Sequence, residues 1–270
     1  MTDTDDQLLA AFEAIALKAG RLILDAFHGG CDVETKADLS PVTWADREAE
    51  RIILAGLAEA CPQYPVVAEE AASAGIMPEA PGEAFLLVDP LDGTKEFVGK
   101  NTDFTVNIAL VRHGVPVVGI VFAPARKAYC AGRPGRARLV HLDDAFEIVS
   151  EKEIAVSDPS TPLRIVASRS NRTPETDAYI ARYPGAEIVS VGSSLKFLML
   201  AAGQADLYPR FGRTMQWDTA AGDAVLRAAG GTVTTVGGLA LTYGPREGTG
   251  DDPFANPWFI ASTGRVPDAD

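Results

Sequence analysis

One segment constrains this chain more than any other: the apolar run Phe85-Leu86-Leu87-Val88 leading into Asp89-Pro90-Leu91-Asp92-Gly93-Thr94-Lys95-Glu96-Phe97. The run reads as a buried strand broken at a proline. At the break stand two carboxylates three residues apart, and the glycine-hydroxyl pair Gly93-Thr94 follows, suited to receive an oxyanion. Taken alone, Asp-Pro-Leu-Asp-Gly reads equally as a turn, because Asp, Pro and Gly punctuate loops. Two further acidic clusters shift that balance. Glu69-Glu70 follows the apolar run Pro65-Val66-Val67-Ala68, and Trp217-Asp218-Thr219-Ala220-Ala221-Gly222-Asp223 opens a helical pattern far downstream. Three acidic clusters at element ends point to one shared site. Carboxylates that close repel one another unless protonated or bridged by a cation. An all-oxygen donor set favours magnesium or manganese over zinc.

With 270 residues, 47% of them hydrophobic, the chain is long enough for one large or two modest cores. The expectation is a single compact unit over 1–270 with two lobes, about 1–158 and about 159–270. A net charge of -13 argues against a nucleic-acid surface, which needs clustered Lys and Arg. Cys31, Cys61 and Cys130 are odd in number and form no CxxC pair, which fits reduced thiols. The first 20 residues are acidic and amphipathic, unlike a signal peptide. No apolar run approaches the ~20 residues needed to span a bilayer. A soluble cytoplasmic protein is expected.

Leu8, Leu9, Phe12, Ile15, Ala16, Ala19, Leu22 and Ile23 recur at helical spacing, predicting a helix that ends near His28-Gly29-Gly30. Thr43 can cap a second helix to about Ala60, stopped by Cys61-Pro62. The Ala, Gly, Pro and Glu-rich stretch 71–83 predicts a loop. Strands are expected at 104–111 and 115–122, joined by the hairpin Arg112-His113-Gly114, and near 128–132, 137–140 and 153–157. Beyond these come strands at 163–167 and 187–191 and helices at 174–182, 194–202 and 218–229, the last stopped by Gly230-Gly231. Short strands near 232–235, 239–243 and 258–262 complete a mixed α/β pattern.

The stretches Asp89 to Phe97, Gly192-Ser193-Ser194-Leu195-Lys196-Phe197 and Trp217 to Gly222 together resemble the inositol monophosphatase superfamily, and within it the bacterial 3'(2'),5'-bisphosphate nucleotidase branch. The resemblance runs from the Lys36 region to Pro245-Arg246-Glu247. It implies an α+β fold, a layered α-β-α-β-α sandwich of the inositol monophosphatase and sugar phosphatase type. It also implies a phosphomonoesterase holding two or three Mg2+, with Mn2+ as a substitute, and inhibited by lithium. The implied substrate is a small phosphorylated nucleotide, adenosine 3',5'-bisphosphate, a by-product of sulfate assimilation. The 3'-phosphorylated sulfate donor is a second candidate. A homodimer and a peripheral location at the inner face of the membrane are compatible with it. The rival readings are an inositol or fructose-bisphosphate phosphatase, and a catalytically silent protein on the same fold.

Carried over residue by residue, the resemblance gives metal binding to Glu69, Asp89, Leu91 through its carbonyl, Asp92 and Asp218. Asp218 reads alternatively as a helix N-cap. No Cys nucleophile or Ser-His pair is present and His28, His113 and His141 lie outside the motifs, so water is the expected nucleophile; the resemblance implies that Glu69 and Thr94 hold it and help deprotonate it. Glu70 reads as a solvated loop carboxylate. Asp46 reads both as the acid of a capping box opened by Thr43 and as support for a further magnesium. Lys36 matches a lysine near the family's active site and reads alternatively as a surface residue. Substrate contacts fall on Glu69, Leu91, Asp92, Gly93, Thr94, Ser194, Lys196, Arg210 and Asp218. Exposed amides at Gly93-Thr94 suit phosphate, and the Arg210 guanidinium, where the inositol branch has an acid, suits a second phosphate. Ser194 and Lys196 read alternatively as a helix cap and an exposed helix face. Asn171 stands where relatives often carry His, which weakens stacking on a base.

Overall fold

The computed structural model describes residues 4–30, 33–35, 41–78, 81–246 and 252–264. Lys36, Cys31 and Glu247 lie outside them. Helix α1 (Asp5–Gly29) opens on a reciprocal capping box between Thr4 and Gln7. Strands β1 (Val33–Thr35) and β2 (Pro41–Thr43) pair antiparallel ahead of α2 (Trp44–Ala60). Then come β3 (Val66–Ala68), α3 (Glu69–Ser73), β4 (Ala84–Asp92), α4 (Thr94–Val98), β5 (Thr105–Arg112), β6 (Val115–Ala123), β7 (Ala128–Arg133), β8 (Arg136–Leu142) and β9 (Ile148–Glu153). These seven strands, β3 to β9, form one sheet in sequence order, antiparallel except for the β3–β4 pair. The second half supplies β10 (Arg164–Ser168), α5 (Pro174–Ile180), β11 (Glu187–Val191), α6 (Leu195–Ala201), β12 (Leu207–Arg210), α7 (Ala220–Ala228), β13 (Thr232–Thr235) and β14 (Phe259–Ser262). Its five strands run in the order β11-β10-β12-β14-β13.

The period-two side-chain alternation of β4 to β6 divides the large sheet between two cores. Leu86, Val88, Ile108, Leu110, Ile120 and Phe122 face α1 and α2, where Phe12, Ile23 and Ile53 are fully buried. Phe85, Leu87, Ala109, Val111 and Val121 face the other way, into a cluster with Leu195 and Phe197 of α6 and Ala221 and Val225 of α7. The far side of the small sheet packs Ile165, Ala167 and Leu207 under Ile180 of α5. The layers are therefore helix, sheet, helix, sheet, helix, as the motifs imply. Helix α7 lies close on the large sheet because two glycines permit it. A Cβ on Gly119 would stand 2.7 Å from the Ala221 carbonyl oxygen, and one on Gly132 2.7 Å from Val225 Cα.

Several elements differ from the sequence-based expectation. The strand expected at 153–157 is Ile148–Glu153; all its side chains are exposed at the sheet edge, so pairing with β8 rather than burial decides it. Residues 239–243 contribute only an isolated bridge, Thr234 with Ala240. β12 was masked by Pro209, which the fold tolerates because pairing with β10 is confined to Leu207 and Ile165. The last helix begins at Ala220 with Thr219 at its N-cap, two residues after the expected Asp218. The predicted 71–83 loop begins inside α3.

Candidate active site

Residues i and i+3 of a regular strand face opposite sides of a sheet, so Asp89 and Asp92 would be kept apart if β4 ran straight. It does not. Asp89 pairs with Asn107 and Asp92 with Thr105, leaving two residues of β4 opposite one of β5. This bulge, with Pro90 inside it, turns both carboxylates into the same cleft. Leu91 N–H donates to Asp89 Oδ1 (3.0 Å) and the Leu91 carbonyl accepts from Thr94 Oγ1 (3.2 Å). Gly93 then takes a left-handed conformation, φ 94°, with its carbonyl accepting from Phe97 N–H (2.9 Å). A Cβ there would meet the Asp103 carbonyl at 2.8 Å, so both dihedral and space require glycine.

The expected acids line one cavity of about 220 Å³: Glu69, Asp89, Asp92 and Asp218, with Leu91, Gly93 and Thr94 beside them. Burial, then repulsion from Glu69, Asp92 and Asp218, raises Asp89 well above the usual carboxylate range, and Asp89 is in hydrogen-bonding contact with Glu69. Burial likewise raises Asp92 and Asp218. The Asp218 carboxylate accepts from Met215 N–H at 2.9 Å, back across its own turn. The helix-cap reading of Asp218 is thereby replaced, since α7 starts beyond it.

Asp46 is the acid of the expected capping box, and the same carboxylate also reaches the cleft. Oδ2 accepts from Thr43 N–H (2.7 Å) and Thr43 Oγ1 (2.6 Å), closing the capping box, while Oδ1 accepts from Thr94 Oγ1 (3.0 Å). The cap of α2 thus fixes a hydroxyl on the cleft wall. Glu50, one turn further along the buried stripe of α2, was not singled out in the sequence. Its two oxygens accept from Glu70 N–H (2.7 Å) and Ala71 N–H (2.8 Å). They serve the first turn of α3, whose N-cap residue Ala68 has no side-chain acceptor, and so aim Glu69. The available signal was a second acid, four residues after Asp46 and in register with Ile53 and Leu57, on a face otherwise built of Ala, Ile and Leu. Glu50→Ala is expected to cost about 1–3 kcal/mol of stability by orphaning these donors. It should also lower phosphate release at temperatures where the variant remains folded; unchanged turnover there would show that α3 holds Glu69 without it.

From the second half come Ser168, Asn171, Ser193, Ser194, Lys196, Arg210 and Thr219. Ser194 makes no helix-cap bond. Its hydroxyl lies 2.8 Å from Asp92 Oδ2 and 2.6 Å from the Asp218 carbonyl, and accepts from Asn107 Nδ2 at 3.0 Å. It joins acids supplied by the two halves. Lys196 is 5% exposed, contrary to the exposed-face reading, and donates to the Val191 and Ser193 carbonyls. Burial lowers its ammonium to about 8, against the upward pull of Asp92. Arg210 is 6% exposed; Nη1 donates to the Asn171 carbonyl (3.2 Å), Nη2 to the Arg213 carbonyl (2.8 Å), and buried Nε has no hydrogen-bond acceptor. None of the three histidines lines the cavity. Cys61 and Cys130 are both buried, away from the cavity.

Among the described residues, no three Asp, Glu, His or Cys side chains close tightly enough to hold an ion by themselves. Carboxylates pushed up by burial and mutual repulsion stand open around the cleft. That donor set fits Mg2+, which takes one or two carboxylates and completes its octahedron with water and phosphate oxygens. Among the described residues, no helix is long and apolar enough to cross a membrane.

The family model described as "Inositol monophosphatase family" matches residues 4–266. The chain is 43% identical over 257 residues to the 3'(2'),5'-bisphosphate nucleotidase CysQ of Escherichia coli (strain K12), covering 92% of this chain and 96% of that protein. Among solved structures, CysQ from Bacteroides thetaiotaomicron superposes with a TM-score of 0.76 at 38% identity, covering 96% of this chain and 97% of that one. The Thermotoga maritima IMPase gives 0.72 at 27% identity, covering 93% and 90%.

Proposed function

The chain belongs to the inositol monophosphatase family, and from that premise we propose that it is a 3'(2'),5'-bisphosphate nucleotidase, releasing the 3'-phosphate of adenosine 3',5'-bisphosphate to give AMP. One observation carries the substrate class: two buried cations, Arg210 and Lys196, line the same cavity as the four carboxylates. A site for a monophosphate on a neutral sugar has no use for two desolvated positive charges. A bisphosphate does, with one phosphate at the acids and the other near the cations.

Members of the family are metal-dependent, generally with Mg2+. Glu69, Asp89, the Leu91 carbonyl, Asp92 and Asp218 would hold two or three Mg2+, or Mn2+ in their place. When bound, the cations lower the pKa of water and neutralise phosphate charge. The chain's own groups arrange the rest. Asp46 accepts the Thr94 hydroxyl proton, leaving the Thr94 oxygen lone pairs to accept from a water in the cleft. Glu69 accepts the other proton of that water as its oxygen forms a bond to phosphorus. The bond from phosphorus to the ribose 3'-oxygen breaks, and that oxygen takes up a proton from solvent water as AMP leaves, Glu69 returning its own proton to solvent. The amides at Gly93 and Thr94 face the transferred phosphate, and Arg210 Nε, without an acceptor in the protein, turns to the phosphate that stays. The same carboxylates would hold lithium in place of a magnesium, so lithium chloride should inhibit phosphate release relative to an equal sodium chloride control.

Phosphate release from adenosine 3',5'-bisphosphate, inositol 1-phosphate and fructose 1,6-bisphosphate, with and without Mg2+, tests the proposal. The bisphosphate nucleotide should be turned over fastest and only with metal. Faster release from either sugar phosphate would overturn it.

Lys196 adds a pH dependence. With its ammonium lowered to about 8 by burial, the cation is present below that pH and lost above it. The KM for the bisphosphate should rise as pH climbs through about 8, and Lys196→Arg should flatten that rise. The effect on stability has the opposite sign: the protonated form is disfavoured by folding, and the cost is relieved between about 8 and the ordinary lysine value. A KM profile identical in the two proteins would remove Lys196 from substrate binding.

A further inference from the structure

Asp103 stands between α4 and β5, 1% exposed. Its Oδ1 accepts from Arg126 Nη2, and its Oδ2 accepts from Arg169 Nη1 and from Gly192 N–H at 3.1 Å. Arg126 belongs to the same half of the chain; Arg169 and Gly192 belong to the other. Burial alone would raise this carboxyl, yet the Gly192 N–H and the two guanidinium groups hold it below the ordinary range, so it stays ionised. Neighbouring Glu96 adds a second tie, accepting from Ser170 Oγ. The fit is close: a Cβ on Gly192 would stand 2.9 Å from both Asp103 Cβ and Glu96 Cγ.

These contacts lead to the substrate cations. Arg169 opens the turn that reaches Asn171 two residues later, and the Asn171 carbonyl accepts from Arg210 Nη1. A buried guanidinium needs its place fixed by such acceptors, because its remaining donors must be aimed rather than solvated. Resting on the nucleotidase reading above, we propose that Asp103 is a positioning residue for the non-reacting phosphate: through Arg169 and the 169–171 turn it sets where the Arg210 guanidinium stands. The reacting end has other anchors. Ser194 is held by Asn107, Asp92 and the Asp218 carbonyl, and Thr94 by Asp46. Neutralising Asp103 therefore loosens recognition of the second phosphate more than it disturbs chemistry.

The test is a double-mutant cycle on the full chain with Mg2+, using adenosine 3',5'-bisphosphate and p-nitrophenyl phosphate, which has no second phosphate. Asp103→Asn should raise the bisphosphate KM about tenfold while kcat, and kcat/KM for p-nitrophenyl phosphate, stay within about twofold. In an Arg210→Ala background the same substitution should leave the bisphosphate KM unchanged, because the residue it positions is gone. Additive effects, or equal losses on both substrates, would overturn the proposal and leave Asp103 a structural residue. Arg169 is 39% exposed, so Arg169→Gln, which leaves no buried hole, gives the same readout if Asp103→Asn does not fold, with Arg169→Lys expected to restore KM. A parent enzyme that hydrolyses p-nitrophenyl phosphate but not the bisphosphate would overturn the substrate reading, and this inference with it. A normal parent with an unmoved KM in both Asp103→Asn and Arg169→Gln would overturn the inference alone.

Discussion

Asp218→Asn and Asp89→Asn are each expected to lower kcat/KM by at least about 10³-fold while the protein keeps its cooperative fold. Asn matches the shape of Asp but contributes no charge to a cation. Stability should move the other way from activity. Burial and the surrounding acids raise both carboxyls above their ordinary values, so ionising them in the folded chain costs free energy that the unfolded chain does not incur. That cost is absent at low pH, where both states hold the proton, and grows as pH rises above the ordinary aspartate value. At neutral pH and without added metal, each variant should therefore melt no lower than the parent. In the parent, Mg2+ should raise the melting temperature, and that increment should shrink in the variants. Full phosphate release by either variant at limiting Mg2+ would refute the assignment of these acids to metal.

The second large effect is on substrate choice. Arg210→Glu should place a carboxylate against the non-reacting phosphate and cost about 3–5 kcal/mol in kcat/KM for the bisphosphate. Inositol 1-phosphate offers no second phosphate to repel, so its lower kcat/KM should change far less, and the ratio of the two is the quantity to follow. Equal losses on both substrates would assign Arg210 to the fold or to the shared phosphate site.

What the sequence disclosed follows from how local each signal is. Asp89, Asp92, Gly93 and Thr94 stand in one short motif whose residue types are rare in combination. Ser194, Lys196 and Asp218 lie in equally compact stretches, and the cavity they line gathers all of them. Helix α1 was legible from a single apolar stripe, and α2 from such a stripe together with its capping Thr43. The bulge in β4 was not, since it exists only relative to β5: nothing in Pro90-Leu91 says that one partner residue will be skipped. Glu50, Asn107 and Asp103 were missed for a related reason. Their partners, Glu70, Ser194 and Gly192, are distant in sequence, and each read alone is an ordinary polar residue next to apolar ones.

The double-faced packing of the large sheet bears on how the chain is made. Its last strand ends at Glu153, and α1 and α2 have by then been synthesised to cover one side. The other side, with Phe85, Leu87, Val111 and Val121, is covered by α6 and α7, and α7 ends only at Ala228. At ribosomal speeds of about 5–20 residues per second, the intervening stretch of roughly 75 residues leaves that apolar face without its cover for several seconds. Nascent chains should then be most exposed to chaperones and aggregation between these two points, well after the first three acids of the site have emerged and before Asp218 has been folded against them.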